Sequence, residues 1–168
     1  DLTDDTGRTV TAYGNAAISS AQSKFGGNSF YFDGSGDYAS VSTNADFNLG
    51  TTYTAEWWSY SATAGRIMPV NIGEYSNSGG VWNGLVFSVR PVAGLIYLYG
   101  VGAGTEQSVP IMNANLSLPA NTWNHIAIVR SGTNASIYIN GVFNNGAFGL
   151  NTNAATTQPL ILGKWNYL

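Results

Sequence analysis

The chain has 168 residues, 44% of them hydrophobic and only 9% charged, with six Lys plus Arg, nine Asp plus Glu and no Cys. Ordinary domains carry about a quarter charged residues, so Asn, Ser, Thr and Gly must supply most of this polar surface. A formal net charge of −3 argues against nucleic acid as a partner. The absence of Cys excludes disulfides and thiolate metal sites, and no apolar run approaches the ~18 residues of a membrane span. At this length one domain over residues 1–168 is the default.

Asp1 to Gly14 is polar and turn-rich, with Thr9 to Tyr13 as a short edge strand. Asn15 to Lys24 is small and polar and shows no helical period, and Phe25-Gly26-Gly27 reads as a turn. Ser29 to Phe32 is a strand, Asp33-Gly34-Ser35-Gly36-Asp37 a tight loop and Tyr38 to Val41 a returning strand, which together predict a hairpin. Asp46 to Leu49 suits one helical turn. Thr52 to Ser61 is a strong strand containing Tyr53, Trp57, Trp58 and Tyr60. Arg66 to Ile72 is another, with Pro69 marking an edge or a bulge. Glu74 to Asn83 reads as a loop, and Gly84–Val89 with Leu95–Tyr99 as a hairpin. Gly100 to Gly104 is a Gly-rich break before a strand over Gln107–Met112.

The densest signal is Trp123 to Val142. Trp123, His125, Ala127 and Val129 fall on one face of an extended strand, and Asn124, Ile126, Ile128 and Arg130 on the other. Ser131-Gly132-Thr133-Asn134 supplies turn chemistry, Ala135 to Ile139 alternates again, and Asn140-Gly141 suits a tight primed turn. Apolar residues on both faces of its first strand place that strand inside a two-sheet sandwich. After Val142 an Asn/Gly-rich loop runs to Gln158, followed by strands over Leu160–Leu162 and Lys164–Tyr167. Short strands at this spacing, with no convincing helix, predict an all-β fold: a two-sheet antiparallel sandwich or jelly roll. Its expected core includes Phe30, Phe32, Trp58, Trp123, Ile128 and Ile137, with Trp57 also inside.

Lys24–Val41 (K-F-G-G-N-S-F-Y-F-D-G-S-G-D-Y-A-S-V), Thr51–Tyr60 (T-T-Y-T-A-E-W-W-S-Y), Trp123–Val142 and Pro159–Lys164 (P-L-I-L-G-K) together resemble the laminin G-like branch of the concanavalin A-like lectin/glucanase jelly rolls. The resemblance implies two antiparallel sheets, one of them concave. It leaves activity open, because the fold hosts lectins, glycanases and inert adhesion modules. Family members usually begin with one more apolar strand and finish with a strand carrying acidic residues. The chain is therefore expected to be a piece of a longer polypeptide, or to take a strand or subunit partner at the edge beside Leu160–Leu162.

The chemistry-bearing residues are few. Glu56, Glu74 and Glu106 lie far apart in sequence and form no E-x-D-x-x-E-like run, which argues against a glycanase. His125, the single histidine, reads better as a hydrogen-bonded core residue than as a catalytic base. Asp33 and Asp37, with Asp5 as a further donor, are the candidate calcium ligands, since calcium takes oxygen donors from flexible loops. The competing reading is a turn in which Asp bonds its own backbone. Tyr75, Trp82, Trp165 and Tyr167 fall in predicted loops or near the chain end, among Asn and Gly. Rings stack on sugar faces and amides bond hydroxyls, so these four are the candidate ligand-binding residues, with protein contact as the alternative use. The expected function is a non-catalytic binding or adhesion module that recognises glycan on a cell surface. Its low charge and Asn/Gly/Thr-rich loops look like modules on bacteriophage tail fibres, capsids or bacterial surfaces, which implies an extracellular or virion-surface setting. The alternative is a structural virion module that binds neighbouring subunits instead of glycan.

Overall fold

Runs of β-branched and aromatic residues, cut every few positions by Gly, Asn, Asp or Ser, leave the chain little but strands to form. A computed structural model describes residues 2–64, 70–72, 75–76, 81–82, 85–90, 95–102, 105–112, 118–147 and 159–164. The strands are β1 (Leu2–Thr3), β2 (Thr9–Tyr13), β3 (Ala17–Ser19), β4 (Ser29–Tyr31), β5 (Tyr38–Val41), β6 (Thr52–Ser61), β7 (Val70–Ile72) and β8 (Tyr75–Ser76). They continue as β9 (Val81–Trp82), β10 (Leu85–Arg90), β11 (Leu95–Gly102), β12 (Thr105–Met112), β13 (Thr122–Ser131), β14 (Asn134–Ile139), β15 (Val142–Ala147) and β16 (Leu160–Leu162). The one helical element among the described residues is a 3-10 turn over Ala45–Phe47, whose start Asn44 caps by accepting from the Asp46 N–H at 2.9 Å.

The pairing is antiparallel and forms an eight-stranded sheet in the order β1-β2-β5-β16-β7-β10-β11-β12 and a four-stranded sheet in the order β15-β14-β13-β6. Two small ribbons, β3-β4 and β8-β9, stand beside them. The large sheets pack face to face: Ile126, Ile128, Ala135, Ile137 and Ile139 of the four-stranded sheet meet Ile72, Val70 and Leu160 of the eight-stranded sheet. Ile126, Ile128 and Ile137 have no accessible surface. Burial on that scale contributes about 1.5–3 kcal/mol per side chain, so this isoleucine layer is the main stabilising feature.

The hairpin expected over Trp123–Val142 is present, with Ile126 opposite Ile139 and Ile128 opposite Ile137. Its β13 strand lies inside the four-stranded sheet, paired on its other edge to the whole of β6, from Thr122↔Ser61 to Ser131↔Thr52. Asn140, in the left-handed region at φ 51°, ends β14 at the open end of the hairpin and starts the turn into β15. Its side-chain oxygen accepts from the His125 N–H at 2.8 Å, and its own N–H donates to the His125 carbonyl at 2.9 Å.

Several expectations are corrected. Ser29–Phe32 and Tyr38–Val41 do not pair with each other: β4 pairs β3, while β5 pairs β2 and β16. The Asp33–Asp37 turn separates them, because Asp37 takes the Asp33 N–H onto its own carboxylate at 2.7 Å. The loop expected after Val142 begins as strand β15, with a register shift at Ile137/Tyr138. The loop expected over Glu74–Asn83 contains the β8–β9 ribbon. The open edge expected beside Leu160–Leu162 is closed, since β16 sits between β5 and β7 and pairs with both. The edges of the large sheets among the described residues are β1, β12, β15 and β6.

Candidate functional site

The core face of β13 is its Asn124, Ile126, Ile128 and Arg130 side, and all four are buried. Strand alternation then sends Trp123, His125, Ala127 and Val129 outward. On β6 the same rule puts Tyr53, Ala55 and Trp57 against the core and turns Thr54, Glu56, Trp58 and Tyr60 out. Register aligns the outward residues into rows: Trp123 with Tyr60, His125 with Trp58, and Ala127 with Glu56 on one side and Tyr138 on the other. The outer face of the four-stranded sheet is therefore a ring-rich platform.

Its contacts are specific. Tyr60 and Trp123 lie with ring centroids 5.6 Å apart, and Trp58 and His125 5.0 Å apart. Tyr138 meets Phe143 of β15 edge-on at 5.8 Å. From the loop joining β3 to β4, Phe25 stands edge-on against Trp58 at 5.8 Å, and Lys24 Nζ lies 4.1 Å above the Trp58 ring. Polar groups border the rings. Glu56 Oε2 is 3.4 Å from His125 Nε2, and the Tyr60 hydroxyl donates to Asn121 Oδ1 at 3.4 Å. Rings that touch one another at tilted or edge-on angles yet stay half-exposed, beside amides and a carboxylate, can receive a ligand with apolar faces and polar edges.

At the far end of the inner face, Arg130 donates from Nε to the Gly132 carbonyl at 3.0 Å. Its register partner Tyr53 has its hydroxyl pushed up to about 12 by burial, with the Arg130 charge opposing the shift. Both belong to the packing of the sandwich and not to the outer platform.

Residues 33–167 match the laminin G family model of the concanavalin A-like lectin/glucanases superfamily. The chain belongs to that superfamily. Among solved structures it is similar to domain 4 of AbnA, a GH43 extracellular arabinanase from Geobacillus stearothermophilus, solved in complex with arabinotriose. That likeness has a TM-score of 0.68 at 16% identity and covers 100% of this chain and 80% of the other. The binding domain of Paraclostridial Mosquitocidal Protein 1 matches 95% of this chain with a TM-score of 0.68 at 14% identity, and the botulinum neurotoxin serotype D binding domain 98% with 0.64 at 16%. This chain spans only 41% and 40% of those two toxin domains. No curated protein matches the chain in sequence. At these identities the structural likeness is one of fold.

Within the lectin/glucanase sandwich the sequence-predicted residues fall in three places. Tyr75 and Trp82 are brought together, opposite each other in the β8–β9 ribbon. Trp165 and Tyr167 lie outside the described residues. Asp33 and Asp37 share one turn, while Asp5 is exposed in the turn between β1 and β2. Asp37 is buried and accepts the Asn15 N–H at 2.6 Å on one oxygen and the Asp33 N–H at 2.7 Å on the other. Gly14 permits this approach: a Cβ there would come within 2.5 Å of Asp37 Oδ1. Asp33 accepts from the Ser35 N–H at 2.7 Å and from Asn15 Nδ2 at 3.2 Å, and the Ser35 N–H leads in holding its carboxyl below the usual range. These contacts aim donor hydrogens at the oxygens a calcium ion would need. Among the described residues no three His, Asp or Glu side chains gather to hold a metal.

The platform residues Trp58, Tyr60, Trp123 and His125 were not among the expected binding residues. Trp58, Trp123 and His125, expected in the core, lie instead half-buried on the outer face. Phe30 and Phe32 are also only half-buried. They stack on each other at 5.8 Å, and Phe32 packs where a Cβ on Gly163 would stand, 2.7 Å from its ring. A signal for the platform existed in the sequence. Trp58 and Tyr60 alternate with the ionisable Glu56, and Trp123 with His125, and burying such a group beside rings is costly.

Proposed function

We propose that this chain is a non-catalytic glycan-binding module and that the outer face of the four-stranded sheet receives the sugar. The observation that carries this reading is the pair of ring rows, Tyr60–Trp123 and Trp58–His125, held half-exposed on a rigid sheet next to hydrogen-bonding side chains. A sugar ring presents C–H faces for stacking and hydroxyls for Asn121, His125 and Glu56. Glycoside hydrolysis requires two carboxylates flanking one bond. Among the described residues of this face Glu56 is the one carboxylate, which supports binding over turnover. Two of the similar structures are toxin binding domains, and the arabinanase domain was solved with arabinotriose, which also supports a binding use of the fold.

The setting that fits is an extracellular or virion surface, as part of a phage tail fibre, capsid or bacterial surface protein that recognises glycan on a cell. Low charge and an Asn/Gly/Thr-rich surface support it. Among the described residues no helix is long and apolar enough to cross a membrane. A second reading, contact with a neighbouring subunit, is favoured by β15, an edge strand that leaves Val142 69% and Phe143 58% exposed.

The test is a glycan array on the wild-type chain, then titration of its strongest ligand against Trp123→Ala. The expected result is at least about a tenfold loss of affinity, the scale of a buried aromatic anchor. An empty array, or a ligand that binds Trp123→Ala as tightly as wild type, would overturn the assignment of sugar to this face.

A further inference from the structure

The outer platform is not uniform along its length. The Tyr60–Trp123 row carries no charge, whereas the Trp58–His125 row is capped by the loop that joins β3 to β4. There Lys24 Nζ stands 4.1 Å from the Trp58 centroid and 5.6 Å from that of Phe25, whose ring is 68% exposed. Lys24 is itself exposed. A cation resting on rings in contact with water gains little from the contact. The ion pairs among the described residues are Arg8 with Asp4, Arg8 with Asp46 and His125 with Glu56, and none includes Lys24. Its ammonium thus stands over the platform with no carboxylate paired to it among the described residues.

We infer that Lys24 makes this face selective for acidic glycans, by donating from its ammonium to a carboxylate or sulfate on the sugar next to the one stacked on Tyr60 and Trp123. The inference rests on the glycan reading above and adds the ligand's charge. The two rows are two residues apart on each strand, about 6.6 Å, so a sugar on the first row brings its neighbour's substituents to the second. A neutral neighbour would strip water from the ammonium and return only weak hydroxyl contacts. An anionic neighbour returns a charge-assisted hydrogen bond in a half-shielded place. Glu56 does not fill that role, since its carboxylate already faces His125.

Calorimetric titration of the chain with trigalacturonate, a sulfated galactotriose and neutral galactotriose tests this. Trigalacturonate is expected to bind about tenfold more tightly than galactotriose, with the advantage shrinking as salt is raised. Lys24→Ala should erase the preference, bringing trigalacturonate affinity down to that of galactotriose or below, and Lys24→Arg should retain it. A gain with both anionic sugars supports recognition of charge, and a gain with trigalacturonate alone supports recognition of the planar carboxylate. Equal affinity for all three sugars, or an equal loss for all three in Lys24→Ala, would overturn the inference while leaving the glycan reading intact. Absence of binding by all three overturns the inference directly, and the array with Trp123→Ala then decides the glycan reading separately.

Discussion

The two faces of the four-stranded sheet are built from the same strands, yet they divide the labour by residue type. The inner face carries Ile126, Ile128, Ile137 and Ile139, and the outer face carries Trp58, Tyr60, Trp123, His125 and Tyr138. The aliphatic residues are buried and the larger rings are only partly so. β-branched side chains have few rotamers and tile a pleated surface densely, which is what close packing between sheets needs. Large rings keep a polar edge and tolerate one wet side, which suits them to an exposed platform. Size is therefore a poor guide to burial here, and the position of a residue in the two-residue period is the better one.

The strongest way to break this comparison is Ile128→Ala. Its side chain has no accessible surface, so the cavity should cost about 4 kcal/mol, within the range for buried aliphatic truncations. Urea unfolding measures it. A loss under about 1 kcal/mol would mean that the isoleucine layer does not hold the sheets together. Adjacent tryptophans sharpen the same contrast. Trp57 packs against the core and Trp58 faces out beneath Lys24 and Phe25. Trp57→Ala should cost about 3 kcal/mol and Trp58→Ala about 1. The ranking is the decisive result, and a reversed order would show that the outer row is a second core.

Much of the fold was legible because period-2 alternation and turn chemistry are local. The β13–β14 hairpin, the long β6 strand and the sandwich class all follow from neighbours in sequence. Which face looks inward is a tertiary choice, and β13 carries apolar residues on both sides. Asn124 and Arg130 share the side of Ile126 and Ile128, so polarity alone does not mark that side as the inner one. In the structure Asn124 is satisfied by Asn140, Pro119 and Thr122, and Arg130 by Gly132, so both bury. The same non-local satisfaction explains β4 and β5, whose turn sets Asp37 against two separate backbone N–H groups. The cap over the platform was not legible for a related reason: it needs the loop bearing Lys24 and Phe25 to meet a strand more than thirty positions later.

The smallest expected effect places the acid sensitivity outside both faces. Asp4, in the turn after β1, accepts from the Thr6 hydroxyl at 2.6 Å, the Arg8 N–H at 2.7 Å and the Thr6 N–H at 3.0 Å, and pairs with the Arg8 guanidinium at 3.0 Å. Arg8 also reaches Asp46 of the 3-10 turn, so the cluster ties the first turn of the chain to the loop before β6. These bonds, the Thr6 hydroxyl first, lower the Asp4 carboxyl from 3.8 to about 2. A carboxylate whose folded value is depressed stabilises the fold above its unfolded value and loses that contribution as it protonates. The Asp4 contribution is therefore complete above pH 3.8 and fades as pH falls toward about 2. Melting temperatures of the wild type and Asp4→Asn should differ modestly at pH 6, by the amount expected of a solvent-exposed pair, and converge by about pH 2. Trp58→Ala should instead keep a constant offset from the wild type over the same range, since stacking does not titrate. If Asp4→Asn kept a constant offset as well, the rim cluster would have to be read as packing, and the acid sensitivity would have to be sought elsewhere.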